Sequence, residues 1–259
     1  MLKDIYEKID GYTAGMIDLQ TKLTAIPALG PENDGVGEKE KADFLEKWMA
    51  DEIGFDSVDH YDAPDDRVPA GIRPNIVAIM KGASSDRKVW IMGHIDVVPP
   101  GDLEKWDTNP WEVVEKDGKL YGRGTEDDQH GIVTPLFALK AIKELGGTLP
   151  YDVGVVIVSA EETGSEHGIE YLLKNSDLFS ENDYIIVPDA GEPDGAMIEV
   201  AEKSIYWLKV ETTGKQCHAS TPAAGVNAHY AGAHLITRLH ALHEIFPTVD
   251  FSATSIIAP

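Results

Sequence analysis

The sequence has one cysteine, few basic residues and no long run of apolar residues. Because Cys217 is the single cysteine in 259 residues, the chain can form neither an internal disulfide nor a zinc site built from several thiolates. A chain without disulfides fits a reducing compartment, so we expect a cytoplasmic protein. No stretch of the sequence approaches the roughly 20 apolar residues that a membrane span requires.

Basic residues are outnumbered two to one by acidic residues. The chain has 22 Lys and Arg against 45 Asp and Glu, which gives a formal net charge of −23 at pH 7. Such a surface repels phosphate backbones and anionic lipid headgroups, so we expect neither a nucleic acid nor a membrane as a partner. The acids are spread along the chain, and functional carboxylates must therefore be found by their position.

Short apolar runs alternate with amphipathic segments over the first 200 residues. The pattern predicts helices over residues 3–23, 38–49 and 131–145 and strands over residues 75–80, 89–92, 153–158 and 184–187. This alternation favours an α/β fold in which helices sandwich a mostly parallel sheet.

The pattern changes after residue 203. Residues 205–212 alternate like a half-exposed strand, residues 227–245 read as a helix, and another strand begins at residue 254. We therefore predict one domain over residues 1–203 and a second, incomplete α+β domain over residues 204–259, with too few elements to bury its own faces.

Four clusters of acidic residues, one with a histidine, follow predicted strands or open a helix. They occupy residues 93–96, 121–128, 159–164 and 188–192. Open α/β sheets build their sites at the carboxyl ends of strands, so these clusters can converge. Two like charges 4 Å apart repel by about 4 kcal/mol at an effective dielectric of 20, and converging carboxylates therefore need cations. One histidine with several carboxylates suits Zn²⁺, Mn²⁺ or Co²⁺, and a carboxylate that bridges two ions makes a hydrolytic centre.

Each cluster also has a purely structural interpretation. His94 and Asp96 can belong to a capped loop, the acids of residues 126–128 suit a helix N-terminus, and Asp189 suits a turn. Adjacent carboxylates directly after the most apolar strand, at residues 161 and 162, are the least typical of a solvated surface.

Five motifs together resemble the di-zinc metallopeptidase family of aminoacylases. They are Gly-His-Ile-Asp at 93–96, Gly-Arg-Gly-x-x-Asp at 122–127, Glu-Glu-Thr-Gly at 161–164, Asp189, and Gly-x-x-x-His-Ala-Ser-x-Pro at 214–222. The family includes succinyl-diaminopimelate desuccinylase, acetylornithine deacetylase and bacterial glutamate carboxypeptidase. The motifs occur in the family's order.

The resemblance implies a site with two zinc ions, for which Co²⁺ or Mn²⁺ can substitute. His94 and Asp189 would bind one ion and Glu162 the other. Asp127 would bridge the two ions.

The resemblance also implies roles around the ligands. Asp96 would orient His94, and Glu161 would be the general base that takes a proton from the attacking water. The bond between residues 127 and 128 would be a cis peptide. His218, in the second domain, would stabilise the oxyanion in the active site of a partner subunit, so the protein would be a homodimer formed through a lid domain.

Two departures separate this chain from the resemblance. Gln129 and His130 stand where the family commonly has Lys and Gly. Family members are longer, and their chain returns to the catalytic domain with sheet elements and a histidine for the second zinc. We therefore expect a truncated chain whose residues 1–203 form a metal-binding catalytic domain without that return and whose second metal site is incomplete.

The expected function is zinc-dependent hydrolysis of an amide bond in a small N-acyl amino acid or short peptide with a free carboxylate. The activity would be most like that of succinyl-diaminopimelate desuccinylase or acetylornithine deacetylase. One alternative is a dipeptidase or carboxypeptidase on the same scaffold. A second alternative is a catalytically incomplete fragment that only binds metal.

Overall fold

The computed structural model describes residues 2–192, 194–201 and 208–246. The chain divides into two compact units, Met1–Ile198 and Glu199–Pro259. The predicted boundary between residues 203 and 204 and the predicted strand at residue 254 lie outside the described residues. Residues 205–207 of the predicted strand 205–212 also lie outside them, and residues 208–212 are not in a strand.

Five helices of the first unit and one of the second are described. They are α1 (Leu2–Asp10), α2 (Thr13–Thr24), α3 (Lys39–Glu52), α4 (Gln129–Glu144), α5 (Ile169–Asn175) and α6 (Ala228–Ala241). The predicted helix over residues 3–23 is two helices, because the chain turns at Gly11 and Tyr12 between them. None of the described helices combines the length and apolar composition needed to cross a bilayer.

The strands described lie in the first unit. They are β1 (Ser57–His60), β2 (Ala63–Pro64), β3 (Ile72–Arg73), β4 (Ile76–Met80), β5 (Ser84–His94), β6 (Val114–Lys116), β7 (Lys119–Tyr121), β8 (Tyr151–Val158) and β9 (Tyr184–Ile186). The main sheet has the strand order β1-β4-β8-β5-β9, while β2-β3 and β6-β7 form two-stranded sheets.

The predicted α/β class with a sheet flanked by helices is confirmed, but the sheet is evenly mixed. β5 pairs in parallel with β8 and β9, whereas β4 pairs antiparallel with β1 and β8. The reason is the length of the connections. Only residues 81–83 link β4 to β5, which is too short for a crossover between parallel strands. The connection from β5 to β8 contains α4 and allows the parallel arrangement.

Helices cover both faces of the sheet. On one face, Leu19 of α2, Leu45 of α3 and Leu136 of α4 pack against alternate residues of β4 and β8. On the other face, Leu172 of α5 packs with Trp90 and Val156. Strands buried on both faces explain the continuous apolar runs of β4 and β8.

The register of the parallel strands places the acidic clusters at one edge of the sheet. His94, the last residue of β5, pairs with Val158, the last residue of β8. The amide of Ile95 then donates to the carbonyl of Val158 at 3.0 Å. The loops after β5, β8 and β9 therefore leave the sheet on the same side, where open α/β sheets place their sites.

Candidate metal centre

His94 is buried at the end of β5, and one of its ring nitrogens is held by backbone. Nδ1 lies 3.0 Å from the carbonyl oxygen of Asp96 and 3.4 Å from its carboxylate. A carbonyl oxygen only accepts hydrogen bonds, so Nδ1 carries the proton that it donates. In a neutral ring, Nε2 is then left with the lone pair that binds a metal.

Nε2 of His94 faces carboxylates from two other loops. It lies 2.9 Å from Oδ1 of Asp127 and 3.8 Å from Oδ2 of Asp189. His94, Asp127 and Asp189 each offer one ligand atom, and these atoms lie within 4.8 Å of one another. The fold thus brings together three residues that are separated by up to 95 positions in the chain.

The electrostatic field at this group is strongly negative. Burial lowers the pKa of His94, but hydrogen bonds from the ring to Asp127 and Asp96 and the nearby negative charges outweigh it and raise the pKa to about 11. A field that favours one positive charge on the imidazole also favours a divalent cation.

Glu162 adds a carboxylate that is close enough to Asp127 to be affected by its charge. Burial and the negative charge of Asp127 raise the pKa of Glu162 to about 7. Its Oε1 atom is buried and has no hydrogen-bond partner among the described residues. A buried acceptor without a donor is costly, and a cation would satisfy it.

The sequence interpretation missed the role of Asp128, whose carboxylate accepts a hydrogen bond from the backbone of His94. The bond between Asp127 and Asp128 is cis, as the resemblance implies. Oδ2 of Asp128 accepts from the amide of His94 at 3.1 Å, while the buried Oδ1 has no hydrogen-bond partner among the described residues and lies 3.9 Å from Nδ1 of His130. Burial and the charge of Asp189 raise the pKa of Asp128 to about 7. Glycine is needed at 93 and 131, where a Cβ would come within 2.8 and 2.1 Å of this carboxylate.

Asp96 joins the end of β5 to the turn that follows β8. Its Oδ1 accepts from the amide of Glu161 at 3.0 Å, and its Oδ2 accepts from the amide of Glu162 at 3.1 Å. Because its own carbonyl also receives the His94 ring, Asp96 contacts three residues of the candidate site. No local sequence pattern indicated the two bonds to the turn.

Glu161 lies at the exposed side of this group. Its Oε2 is 3.9 Å from Nε2 of His94, and its side chain is partly open to solvent. Burial raises the pKa of Glu161, the positive charge of His94 opposes this, and the negative charges of Asp96 and Asp189 reinforce it. A raised pKa suits a carboxylate that accepts and releases a proton near neutral pH.

His218 belongs to the second unit, which is described by itself. The residue is exposed, and its Nδ1 accepts from the amide of Ser220 at 3.2 Å and lies 2.8 Å from the Ser220 hydroxyl. Those contacts leave Nε2 as the ring nitrogen that can carry the proton of a neutral imidazole.

The two residues that depart from the family pattern, Gln129 and His130, begin helix α4 of the first unit. Gln129 is buried, and its side-chain oxygen accepts from the hydroxyl of Thr24 at 3.0 Å. Nδ1 of His130 contacts the carbonyl of Glu126. The Lys and Gly that the family commonly has are thus replaced by a buried amide and an exposed imidazole.

The donor set fits a divalent metal. An imidazole, which becomes neutral when a metal displaces its second proton, and several carboxylates are the ligands that Zn²⁺, Mn²⁺ and Co²⁺ accept. Within the described part of the chain, one buried oxygen of Glu162 and one of Asp128 have no hydrogen-bond partner, and the raised pKa values of these acids indicate a surplus of negative charge.

Comparison with known proteins gives the same family for the chain as the motifs do. Residues 90–250 match the family described as peptidase family M20/M25/M40. An uncharacterized metallohydrolase of Methanocaldococcus jannaschii is 40% identical over 240 residues, which cover 90% of this chain and 58% of that protein. A succinyl-diaminopimelate desuccinylase of Nitratiruptor is 28% identical over 227 residues, which cover 86% of this chain and 56% of that enzyme.

Among solved structures, human carnosine dipeptidase 1 has a similar fold. Its TM-score is 0.62 at 26% identity, with 73% of this chain and 41% of that chain covered. The chain thus spans about half the length of the curated relatives that it matches.

Proposed function

The chain belongs to peptidase family M20/M25/M40, and from that premise we propose that it hydrolyses an amide bond in a small N-acyl amino acid or short peptide in a metal-dependent reaction. The observation that carries the proposal is the group formed by His94, Asp127 and Asp189, with Glu161 at 3.9 Å from the same imidazole nitrogen. A metal-ligand group beside a carboxylate of raised pKa is the arrangement that hydrolysis requires.

The proposed ligand roles are those that the family resemblance implies. His94 and Asp189 would hold one ion, Glu162 would hold a second, and Asp127 would bridge them. Support comes from Asp127, whose Oδ1 lies 2.9 Å from Nε2 of His94 and whose negative charge acts on Glu162. Ions bound there would lower the pKa of a bound water to about 7 and polarise the substrate carbonyl.

Glu161 would move the proton during hydrolysis. It accepts a proton from the water whose oxygen bonds to the amide carbon, and it delivers that proton to the nitrogen as the carbon–nitrogen bond breaks. The products are a carboxylate and an amine. The amide of Glu161 is held by Asp96 at 3.0 Å, which fixes the position of the base.

The substrate class is proposed from the names of the relatives. A desuccinylase at 28% identity favours an N-acyl amino acid, and a carnosine dipeptidase with a similar fold at 26% identity favours a dipeptide. Both kinds of substrate carry a free carboxylate beside the amide. We place the N-acyl amino acid first because the desuccinylase match covers more of the chain.

The deciding experiment measures turnover and metal content on the same preparation. The chain is loaded with Zn²⁺ or Co²⁺ and given an N-succinyl amino acid and an unblocked dipeptide. Turnover of the succinyl compound at two metals per chain supports the first proposal, and preference for the dipeptide supports the dipeptidase alternative. One weakly held metal without turnover of either compound supports a chain that only binds metal.

Two further roles remain proposals. His218 would stabilise the oxyanion from a partner subunit, so the active form would be a homodimer built through the second unit. Sedimentation at several concentrations tests the dimer. Mixing inactive Glu161→Gln chains with inactive His218→Ala chains tests the shared site, because mixed dimers would regain part of the turnover.

A further inference from the structure

The side chain of Asn75 binds three backbone groups at the edge of the sheet that carries the candidate site. Asn75 directly precedes β4 and is 0% exposed. Its Nδ2 donates to the carbonyl of Tyr61 and to the carbonyl of His167, at 2.9 Å in each case. Its Oδ1 accepts from the amide of Ser159 at 3.1 Å. Both protons on Nδ2 are therefore used, and the reverse orientation of the side-chain amide would set its oxygen against two carbonyls.

Two of these contacts lie at the two ends of one loop. Ser159 is the first residue after β8, and His167 lies two residues before α5. The loop formed by residues 159–167 contains Glu161 and Glu162, whose amides are held by the carboxylate of Asp96. A single buried side chain thus fastens both ends of the loop that carries the proposed general base and a proposed ligand.

The backbone ladder of the sheet does not hold the start of this loop. β4 and β8 pair with Ile76 opposite Ile157, so the same register would set Pro74 opposite Ser159. A proline has no N–H to donate to a ladder. Side chains take over at this point: the hydroxyl of Ser159 donates to the carbonyl of Pro74 at 2.6 Å, and the amide of Ser159 donates to Asn75. The loop therefore begins where the ladder stops, at a point that Asn75 fixes.

The backbone of the loop adopts a conformation that needs outside support. Ala160 and Ser165 have φ angles of 58° and 64°, in the left-handed region that residues with a Cβ seldom occupy. The amide of Ser165 donates to the carbonyl of Ala160 at 2.7 Å and closes the loop around the two glutamates. Such a conformation persists only where its surroundings enforce it, and contacts at both ends are a constraint of that kind.

The placement of Glu161 depends on this loop. Oε2 of Glu161 lies 3.9 Å from Nε2 of His94, and a displacement of about 1 Å is enough to slow a catalysed reaction severely. We propose that Asn75 is a positioning residue that fastens both ends of loop 159–167 and thereby sets the places of Glu161 and Glu162. The roles of the two glutamates rest on the proposed function, whereas the fastening of the loop does not.

The fastening is tested in the metal-free chain by amide hydrogen exchange of Asn75→Ala. This substitution removes three hydrogen bonds, so we expect the amides of loop 159–167 to exchange about 10-fold faster or more. The amides of α4, which Asn75 does not hold, should exchange as they do in the parent chain. Exchange of the loop at the parent rate in a folded Asn75→Ala chain would overturn the proposal.

Asp152→Ala is the matched control. Asp152 has nearly the same size as asparagine, is 5% exposed and lies at the opposite end of β8, where its carboxylate accepts from the amide of Gly82 and the hydroxyl of Ser85, each at 2.8 Å. Its loss should speed exchange at residues 82–85 and leave loop 159–167 unchanged. Equal acceleration of loop 159–167 in this control would show a general loss of stability and would overturn the proposal.

The effect on the site is tested by zinc affinity and by kinetics. In competition with a chromogenic chelator, we expect Asn75→Ala to bind Zn²⁺ about 10-fold more weakly and Asp152→Ala to bind it as the parent chain does. In an active preparation saturated with zinc, kcat of Asn75→Ala should fall at least 10-fold while KM stays close to that of the parent chain, because the base is displaced and not the substrate. Zinc affinity and kcat both equal to those of the parent chain would overturn the proposal.

If Asn75→Ala does not fold, the parent chain itself decides. Exchange measured at rising urea concentrations below the unfolding transition gives the free energy at which each segment opens. The fastening predicts that loop 159–167 opens together with residues 75–80, and opening of the loop well before those residues would overturn the proposal. A parent chain that binds no zinc would contradict the proposed function, while the exchange experiments would still decide the fastening.

Discussion

Two groups of charged residues near Asp96 differ in how their negative charges are balanced. On one side, the carboxylates of Asp127, Asp189 and Glu162 lie around the imidazole of His94. On the other side, the buried Glu38 is bonded to the buried Arg73. The first group has an excess of negative charge, and the second is neutral.

The pKa values record this difference. In the first group, burial and neighbouring negative charge raise the pKa of Glu162 to about 7. At the edge of the second group, hydrogen bonds from Arg67 hold the pKa of Asp65 well below its usual range. These two carboxylates shift in opposite directions because the hydrogen bonds from Arg67 outweigh the burial of Asp65. At Glu38 the burial outweighs the contact with Arg73 and raises the pKa. A divalent metal can balance the negative charge of the group around His94.

The largest effect is expected at the proposed general base. Glu161→Gln keeps the size of the side chain but removes the proton acceptor, so turnover should fall by about 10²- to 10⁴-fold. Metal content, read by elemental analysis, should stay the same because Glu161 is not a proposed ligand. Glu166→Gln, in the same loop, is the control and should keep full turnover. Turnover that survives in Glu161→Gln would remove this residue from the mechanism.

The second effect is on stability and concerns the buried pair of Glu38 and Arg73. Arg73→Met leaves Glu38 buried without a partner, and the free energy of unfolding should fall by about 3–5 kcal/mol. The additional change Glu38→Gln should restore a substantial part of it, as measured by urea denaturation. If the single variant is as stable as the parent chain, Glu38 does not depend on Arg73.

Zinc bound at the acidic group around His94 should stabilise the folded chain by a smaller amount. At a free concentration about 100 times its dissociation constant, an ion that binds only the folded chain adds about 2.7 kcal/mol to the free energy of unfolding. Asp127→Asn removes the proposed bridging ligand and should abolish this gain, whereas the exposed Asp86→Asn should keep it. A zinc-dependent shift of the melting temperature that persists in Asp127→Asn would place the ion elsewhere.

The elements with a strong local period were predictable from the sequence. The helix expected over residues 38–49 is α3, Lys39–Glu52, and the apolar run at residues 153–158 is the end of β8. β1 and the two-residue strands β2 and β3 were missed, because these segments are short and exist through pairing with partners elsewhere in the chain. The even mixture of parallel and antiparallel pairs also depends on connection lengths rather than on composition.

The site was predictable where its residues follow strands. His94 is the last residue of β5 and Asp189 follows β9, and the structure brings the two together as the clusters predicted. The pair of Glu38 and Arg73 was missed because these residues are 35 positions apart and belong to no motif.

The smallest expected effect tests whether the basic partner sets the pKa of Asp65. Nε and Nη2 of Arg67 each donate to the Asp65 carboxylate at 2.8 Å. Because the pKa of Asp65 is lower in the folded chain than its ordinary value of 3.8, the unfolded chain binds more protons in acid. The stabilisation by this pair is thus complete above pH 3.8 and is lost as the pH falls below it. Arg67→Met should lower the free energy of unfolding by about 1 kcal/mol at pH 7, since Arg67 is half exposed, and the difference from the parent chain should shrink toward pH 2. Lys116→Met, an exposed charge change, should give a difference that does not depend on pH in this way. A constant difference between pH 7 and pH 2 in Arg67→Met would show that Arg67 stabilises the fold by packing rather than through the charge of Asp65.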